Sequence, residues 1–329
     1  MKIKKRFTAL LLCAFIIITS VMPVTAAEPD NSDNGDYCVF ELLETRISEL
    51  ETQLAALWAF LASFEDSGTG LTWEEREIME RHIKQAEDLE RYMFRLMYYD
   101  VCLSILNNDL LLHQRSLLER QIEVERVRLQ VGFSTQRNVN ALTTQLSTLN
   151  RQIILNNDTI QEKRDFINTK RGQSGYGFID NFVITVPPVP NARNANELRT
   201  ALIRNNVTLL DLTNQISNLR RHNATNLEIR TLTTQRDLLE SQLRMSATSS
   251  WTAYLGIKAQ YDIAVTTRLQ LEADLILIEN MFRLGFISDI DRRTQRYAIY
   301  EALHMEDVAL IALAVAVAEL DFMMIGIAG

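Results

Sequence analysis

The chain of 329 residues carries 34 lysines and arginines against 42 aspartates and glutamates, a formal charge of −8. An acidic chain with no basic block is a poor binder of nucleic acid, so no nucleic-acid partner is expected. Its five prolines stand at positions 23, 29, 187, 188 and 190, which leaves long runs free of the residue that breaks helices and predicts an all-α fold.

Residues 1–27 read as a signal peptide. Lys2, Lys4, Lys5 and Arg6 form a basic start, residues 7–22 an apolar run, and residues 24–27 a small-residue cleavage site. The apolar run, about 16 residues, is short for a membrane span of roughly 20. Removing residues 1–26 takes away those four cations and no acid, and moves the formal charge from −8 to −12. The mature chain is expected to be exported to the cell envelope or its extracellular face, peripheral rather than integral. Cys13 leaves with the signal. The spacing of Cys38 and Cys102 does not decide whether they pair or stand as two independent buried thiols.

A first helical repeat is assigned to residues 28–171. Its first helix runs from about residue 36 to 62, with Phe40, Leu43, Ile47, Leu50, Leu54, Leu57 and Leu61 in alternating steps of three and four, a heptad seam. A loop follows at 63–72. Trp73 then opens a long helix ending at Val131, about 89 Å at 1.5 Å per residue. Its seam is placed on Leu103, Leu106, Leu110, His113, Leu117, Arg120, Val124, Val127 and Val131. Gly132 stops it as a left-handed cap, and Thr135 caps the next helix. That helix continues the rhythm through Val139, Leu142, Leu146, Leu149, Ile153, Asn156, Ile160, Lys163 and Ile167. Two seams meeting at so short a turn predict an antiparallel coiled-coil hairpin.

Residues 172–193 read as a connector. Its β-branched apolar run at 182–186, between glycines and prolines, has room for one short strand.

A second helical repeat fills residues 194–329. Leu198, Leu202, Asn205, Leu209, Leu212, Ile216 and Leu219 predict one short helix, with a weak break at 220–223. The long helix then runs to Arg283, its seam on Ile257, Tyr261, Ala264, Arg268, Leu271, Leu275, Ile278 and Phe282. Here the motif of Arg128 to Thr135 returns as Arg283-Leu-Gly-Phe-Ile-Ser288, which makes the chain two copies of one unit. Ser288 is a helix cap with Asp291 three residues on. The last helix, carried to about Ile325, has two apolar stripes, one through Val308, Ile311, Val315, Ala318, Phe322 and Ile325, the other through Leu303, Leu310, Leu313, Val317, Leu320 and Met324. Two stripes require neighbours on both sides. Glu319 and Asp321 argue against a membrane anchor.

No nucleophile–base pattern, phosphate loop or metal-spaced cluster appears, so no enzyme activity is expected and no catalytic, cofactor or metal site is assigned. The histidines at 82, 113, 222 and 304 are read as structural. Asn206 and Asn223 head formal glycosylation sequons, read as chance matches.

A helical duplication turning at G-x-x-[S/T]-x-x-[D/E]-[V/L] resembles the TolC-type outer membrane efflux protein family. The matching residues are Gly132, Thr135 and Val139, and Gly285, Ser288 and Asp291; the departures are Asn138 for an acid and Arg292 for an aliphatic residue. The resemblance implies a tunnel protomer built of long antiparallel hairpins, closing as a homotrimer. It implies partners too, a membrane-fusion adaptor protein and an inner-membrane pump. The adaptor would meet the tips at Val131, Gly132, Phe133 and Thr135, and at Leu284, Gly285, Phe286 and Ser288. Asp289 and Asp291 would be the entrance acids. In that family strand pairs between short and long helices build a membrane β-barrel. The slots here, 63–72 and about 220–225, are too short for hairpins of 9–11-residue strands. The competing reading is a secreted coiled-coil scaffold that lines no channel.

Overall fold

The computed structural model describes residues 35–66, 73–173, 179, 182–184, 188–222 and 225–327. The expected signal peptide, residues 67–72 of the loop expected at 63–72 and the sequon at Asn223 lie outside the described residues; residues 63–66 are helical instead. Seven helices carry the regular structure of those that are described: α1 (Gly35–Asp66), α2 (Trp73–Gln130), α3 (Gln136–Gln173), α4 (Ala195–Asn205), α5 (Val207–Arg221), α6 (Asn226–Arg283) and α7 (Asp289–Met324). The all-α fold is as expected, and α2 and α6 each run for 58 residues.

The chain divides into two compact units, each drawing on both sequence repeats. One holds the described residues up to Leu96, Pro188–Leu255 and those from Val315 on; the other holds Met97–Pro187 and Gly256–Ala314.

In the first unit, the α1 seam is buried as its rhythm predicts. Leu57 and Leu61 pack on Met79 and Ile83 of α2, and Leu50 meets Leu89, Phe322 and Ile327. Tyr92 stacks on Phe322 at 4.4 Å between ring centres. In α7, Val317 and Leu320 of one stripe and Ala318 and Phe322 of the other are buried, while Ile325 at the end of the second is exposed; each large buried side chain contributes about 1.5–3 kcal/mol relative to exposure. The carboxylates within this apolar run have donors. Glu319 accepts from the Ser250 hydroxyl at 2.6 Å, and Asp321 from the Asn191 N–H at 2.8 Å. No helix among the described residues is long and apolar enough to cross a membrane.

The single short helix expected near 194–220 is instead two, and Asn206 is the reason. Its backbone is extended (φ −70°, ψ 116°) and its side-chain oxygen accepts from the Leu209 N–H at 2.9 Å, which starts α5 afresh. The break is held from outside. Gly326, at φ 101°, caps α7, with its N–H on Met323 and that of Ile327 on Phe322. Asn206 Nδ2 donates to the Gly326 carbonyl at 2.9 Å, and Asn205 Nδ2 to that of Met324 at 2.7 Å. The Asn206 amide is therefore buried and in use. Further along α5, Asp211 Oδ2 lies 2.8 Å from His82 Nε2 of α2, a buried pair.

In the second unit, α2 and α3 form the antiparallel hairpin, with Leu118 and Ile122 packed against Leu149 and Ile153. Asn108 Nδ2 donates to Asn157 Oδ1 at 3.0 Å. Lys163, a seam position, is buried but paired with Asp100 at 2.7 Å and donates to the Ser104 hydroxyl at 3.0 Å, which offsets its desolvation. The α2 seam expected at Leu110, Leu117 and Val124 is out of phase: the residues facing α3 are those one position on or two before, Leu111, Leu118 and Ile122. Two residues of the expected seam face α7 instead, where His113 stacks on Tyr300 at 3.7 Å and Arg120 Nε donates to Asp289 at 3.1 Å, while Val127 and Val131 are exposed. A helix with neighbours on two sides carries two stripes, and the heptad rhythm does not say which partner each one meets.

The short strand does not form at residues 182–184; residues 185–186 lie outside the described residues. A strand needs free main-chain donors and acceptors, and those of Val183 are taken. The Tyr98 hydroxyl accepts from its N–H at 3.0 Å and donates to its carbonyl at 3.1 Å, while Phe182 is buried against the Tyr98 ring. One turn along α2, Cys102 is a free buried thiol, not a disulfide half, and burial pushes its pKa up to about 12.

Candidate functional site: the hairpin tips

Gly132 and Gly285 stand at φ 82° and 76°. At each tip the glycine N–H donates three residues back, to Leu129 at 3.1 Å and to Phe282 at 3.0 Å. The next N–H donates five back, from Phe133 to Arg128 at 2.8 Å and from Phe286 to Met281 at 2.9 Å. This paired bonding is the Schellman cap, made twice with the same residue types. Nothing crowds either glycine, so the left-handed backbone alone requires it.

The helices leaving the turns start on the expected caps. Thr135 Oγ1 accepts weakly from the Asn138 N–H at 3.4 Å. Ser288 and Asp291 form a full capping box: the Ser288 hydroxyl donates to Asp291 at 2.6 Å, the Ser288 N–H to the same oxygen at 3.3 Å, and the Asp291 N–H to Ser288 Oγ at 3.2 Å. Both family departures have a local account. Asn138 replaces an acid, but Glu125 reaches over from α2 to accept from Ser134 and from Asn138 Nδ2. These bonds, that from Ser134 foremost, hold its carboxyl below the usual range. Arg292 replaces an aliphatic residue; it lies 4.1 Å over the Phe282 ring and bonds Asp289 at 2.8 Å.

The apolar tip residues are exposed: Val131 by 61%, Phe133 by 79%, Leu284 by 70% and Phe286 by 73%. Both phenylalanines thus stand largely in solvent. The acids are engaged. Asp291 caps α7, and Asp289 accepts from Arg293 at 3.0 Å, Arg292 at 2.8 Å and Arg120 at 3.1 Å. Those arginines, Arg293 first, hold the Asp289 carboxyl below its ordinary value. The Arg120 contact ties the first hairpin to the foot of the second tip. Sequence reasoning missed it, because its partners stand 169 residues apart and no motif joins them. Among the described residues no group of three or more His, Cys, Asp or Glu side chains could hold a metal ion.

No protein-family model matches the chain, and no curated protein matches it in sequence. Solved structures do match in fold. CusC, known from structures of its folding and transmembrane channel formation, is 10% identical at a TM-score of 0.50, over 87% of this chain and 96% of that one. The CmeC outer membrane channel of Campylobacter jejuni is 10% identical at 0.42, over 88% and 83%. The outer membrane protein VceC of Vibrio cholerae is 12% identical at 0.41, over 75% and 73%. The likeness to CusC shows a shared architecture, the helical tunnel fold of TolC-like channels that the two glycine turns resemble.

Proposed function

We propose that this chain is one protomer of a TolC-like export conduit. Three copies close a helical tunnel in the cell envelope, and the hairpin tips dock an adaptor protein that links the tunnel to an inner-membrane pump. The observation that carries this reading is the pair of tips closed by the same glycine cap, each holding a phenylalanine and an aliphatic residue out in solvent at the end of a long hairpin. Rigid caps that present apolar groups unsupported by their own chain are what a docking surface needs. The work is mechanical, so no residue is given a catalytic role.

The joints between helices support a conduit with no membrane strands of its own. Six residues separate α1 from α2 and four separate α5 from α6, too few for even one spanning strand of roughly 9–11 residues. The test replaces both phenylalanines, Phe133→Ser with Phe286→Ser, in the mature chain. Docking predicts an unchanged melting temperature with adaptor binding and export lost. A fall of several degrees with export intact would mean the phenylalanines serve hairpin packing. The mass of the mature protein separates the readings: a trimer supports the conduit, a monomer the scaffold.

A further inference from the structure

We infer that the surface these tips receive is acidic; this deepens the docking reading and rests on it. Residues 120–140 and 279–296, which make up the two tips and their feet, hold eight arginines and five acids, in a chain whose formal charge is −8. The acids there are largely answered from within. Asp289 takes three arginines, Arg120 also holds Glu123 at 2.7 Å, and Arg292 and Arg296 flank Glu279, each at 3.6 Å. Arg126, Arg137 and Arg283 are left over. All three are exposed, and none has an ion-pair partner among the described residues. They stand within two helical turns of Gly132 or Gly285, so they lie near the exposed Val131, Phe133, Leu284 and Phe286 along the chain. An apolar centre with a cationic rim selects a partner with an apolar centre and a carboxylate rim, and guanidinium forks favour fixed carboxylates.

An anionic lipid surface is the rival occupant. The tips carry no lysine, tryptophan or tyrosine between residues 120–140 and 279–296, the residues that usually anchor to a bilayer interface. That absence favours a protein partner.

The test uses the mature chain and three probes: a designed helical hairpin whose turn shows leucines ringed by glutamates, a twin with lysines in their place, and phosphatidylglycerol vesicles. The glutamate hairpin should bind and its lysine twin should not. Replacing Arg126, Arg137 and Arg283 together by glutamine should weaken that binding about tenfold or more, with added salt acting in the same direction. These side chains are exposed and unpaired, so the melting temperature should not move. Equal binding of both hairpins, or none of the glutamate one, overturns the acidic partner. If equal binding is lost in the Phe133→Ser, Phe286→Ser protein, apolar docking still stands; export unaffected by that pair removes docking itself. Capture by the vesicles in place of the glutamate hairpin gives the tips to a lipid surface and overturns the inference.

Discussion

A Cβ on Gly326 would overlap the Asn205 carbonyl, whereas one on Gly132 or Gly285 would meet nothing. Gly132→Ala should therefore cost only the left-handed backbone term, about 1–2 kcal/mol, and Gly326→Ala distinctly more; thermal melts of the two variants give the contrast. Cys102, its thiol pushed up to about 12 by burial, should resist alkylation in the native protein as the buffer turns mildly alkaline, and react once the chain is denatured. Two aspartates should respond to pH with opposite sign. The Asp289 carboxyl is depressed by its arginines, so its contribution is present above the ordinary carboxylate pKa and lost as pH falls through its lowered value. Asp307 is raised, by burial first and then by Glu306. Its contribution is favourable in acid and is lost as pH rises through its raised value. Asp289→Asn should thus lower the neutral-pH stability, by no more than about 1 kcal/mol for so exposed a network, and with it the melting temperature. Asp307→Asn should raise it, and both differences should vanish in acid.

Helices show where reading the sequence succeeds and where it stops. The long proline-free seams located α1, α3, α6 and both glycine turns, because periodicity and cap chemistry are local properties. The phase of α2 was not legible: Leu117 and Leu118 both belong to apolar stripes, and only the fold assigns one to α3. Leu118→Ala, at a buried site, should cost about 2–5 kcal/mol; Leu117→Ala, half-buried, should cost clearly less, as denaturant titration of both would show. The split at Asn206 was hidden because its second anchor, the Gly326 carbonyl, lies 120 residues away. At the tips the caps were legible and the arginine network was not, for the same reason of distance.

For the molecule as a whole, α6 raises the question of what covers it. Leu227, Met245 and Ile263 are exposed and fall 18 residues apart, five full turns, on one face of the helix. In the proposed trimer that face lies against a second copy. Met245→Lys with Ile263→Lys should then reduce the trimer to monomers while circular dichroism keeps its helical signal; a trimer that survives would place the subunit contact elsewhere. The seat of Gly326 on Asn205 and Asn206 has a consequence for the life of the chain. Its two halves are separated by 120 residues, and the later half is made well after the earlier one. Until residues 322–327 arrive, Leu50 and Leu89 lack their cover and two asparagine amides lack their acceptors. A chain that still lacks those residues therefore exposes apolar side chains and unpaired amides that the finished fold covers.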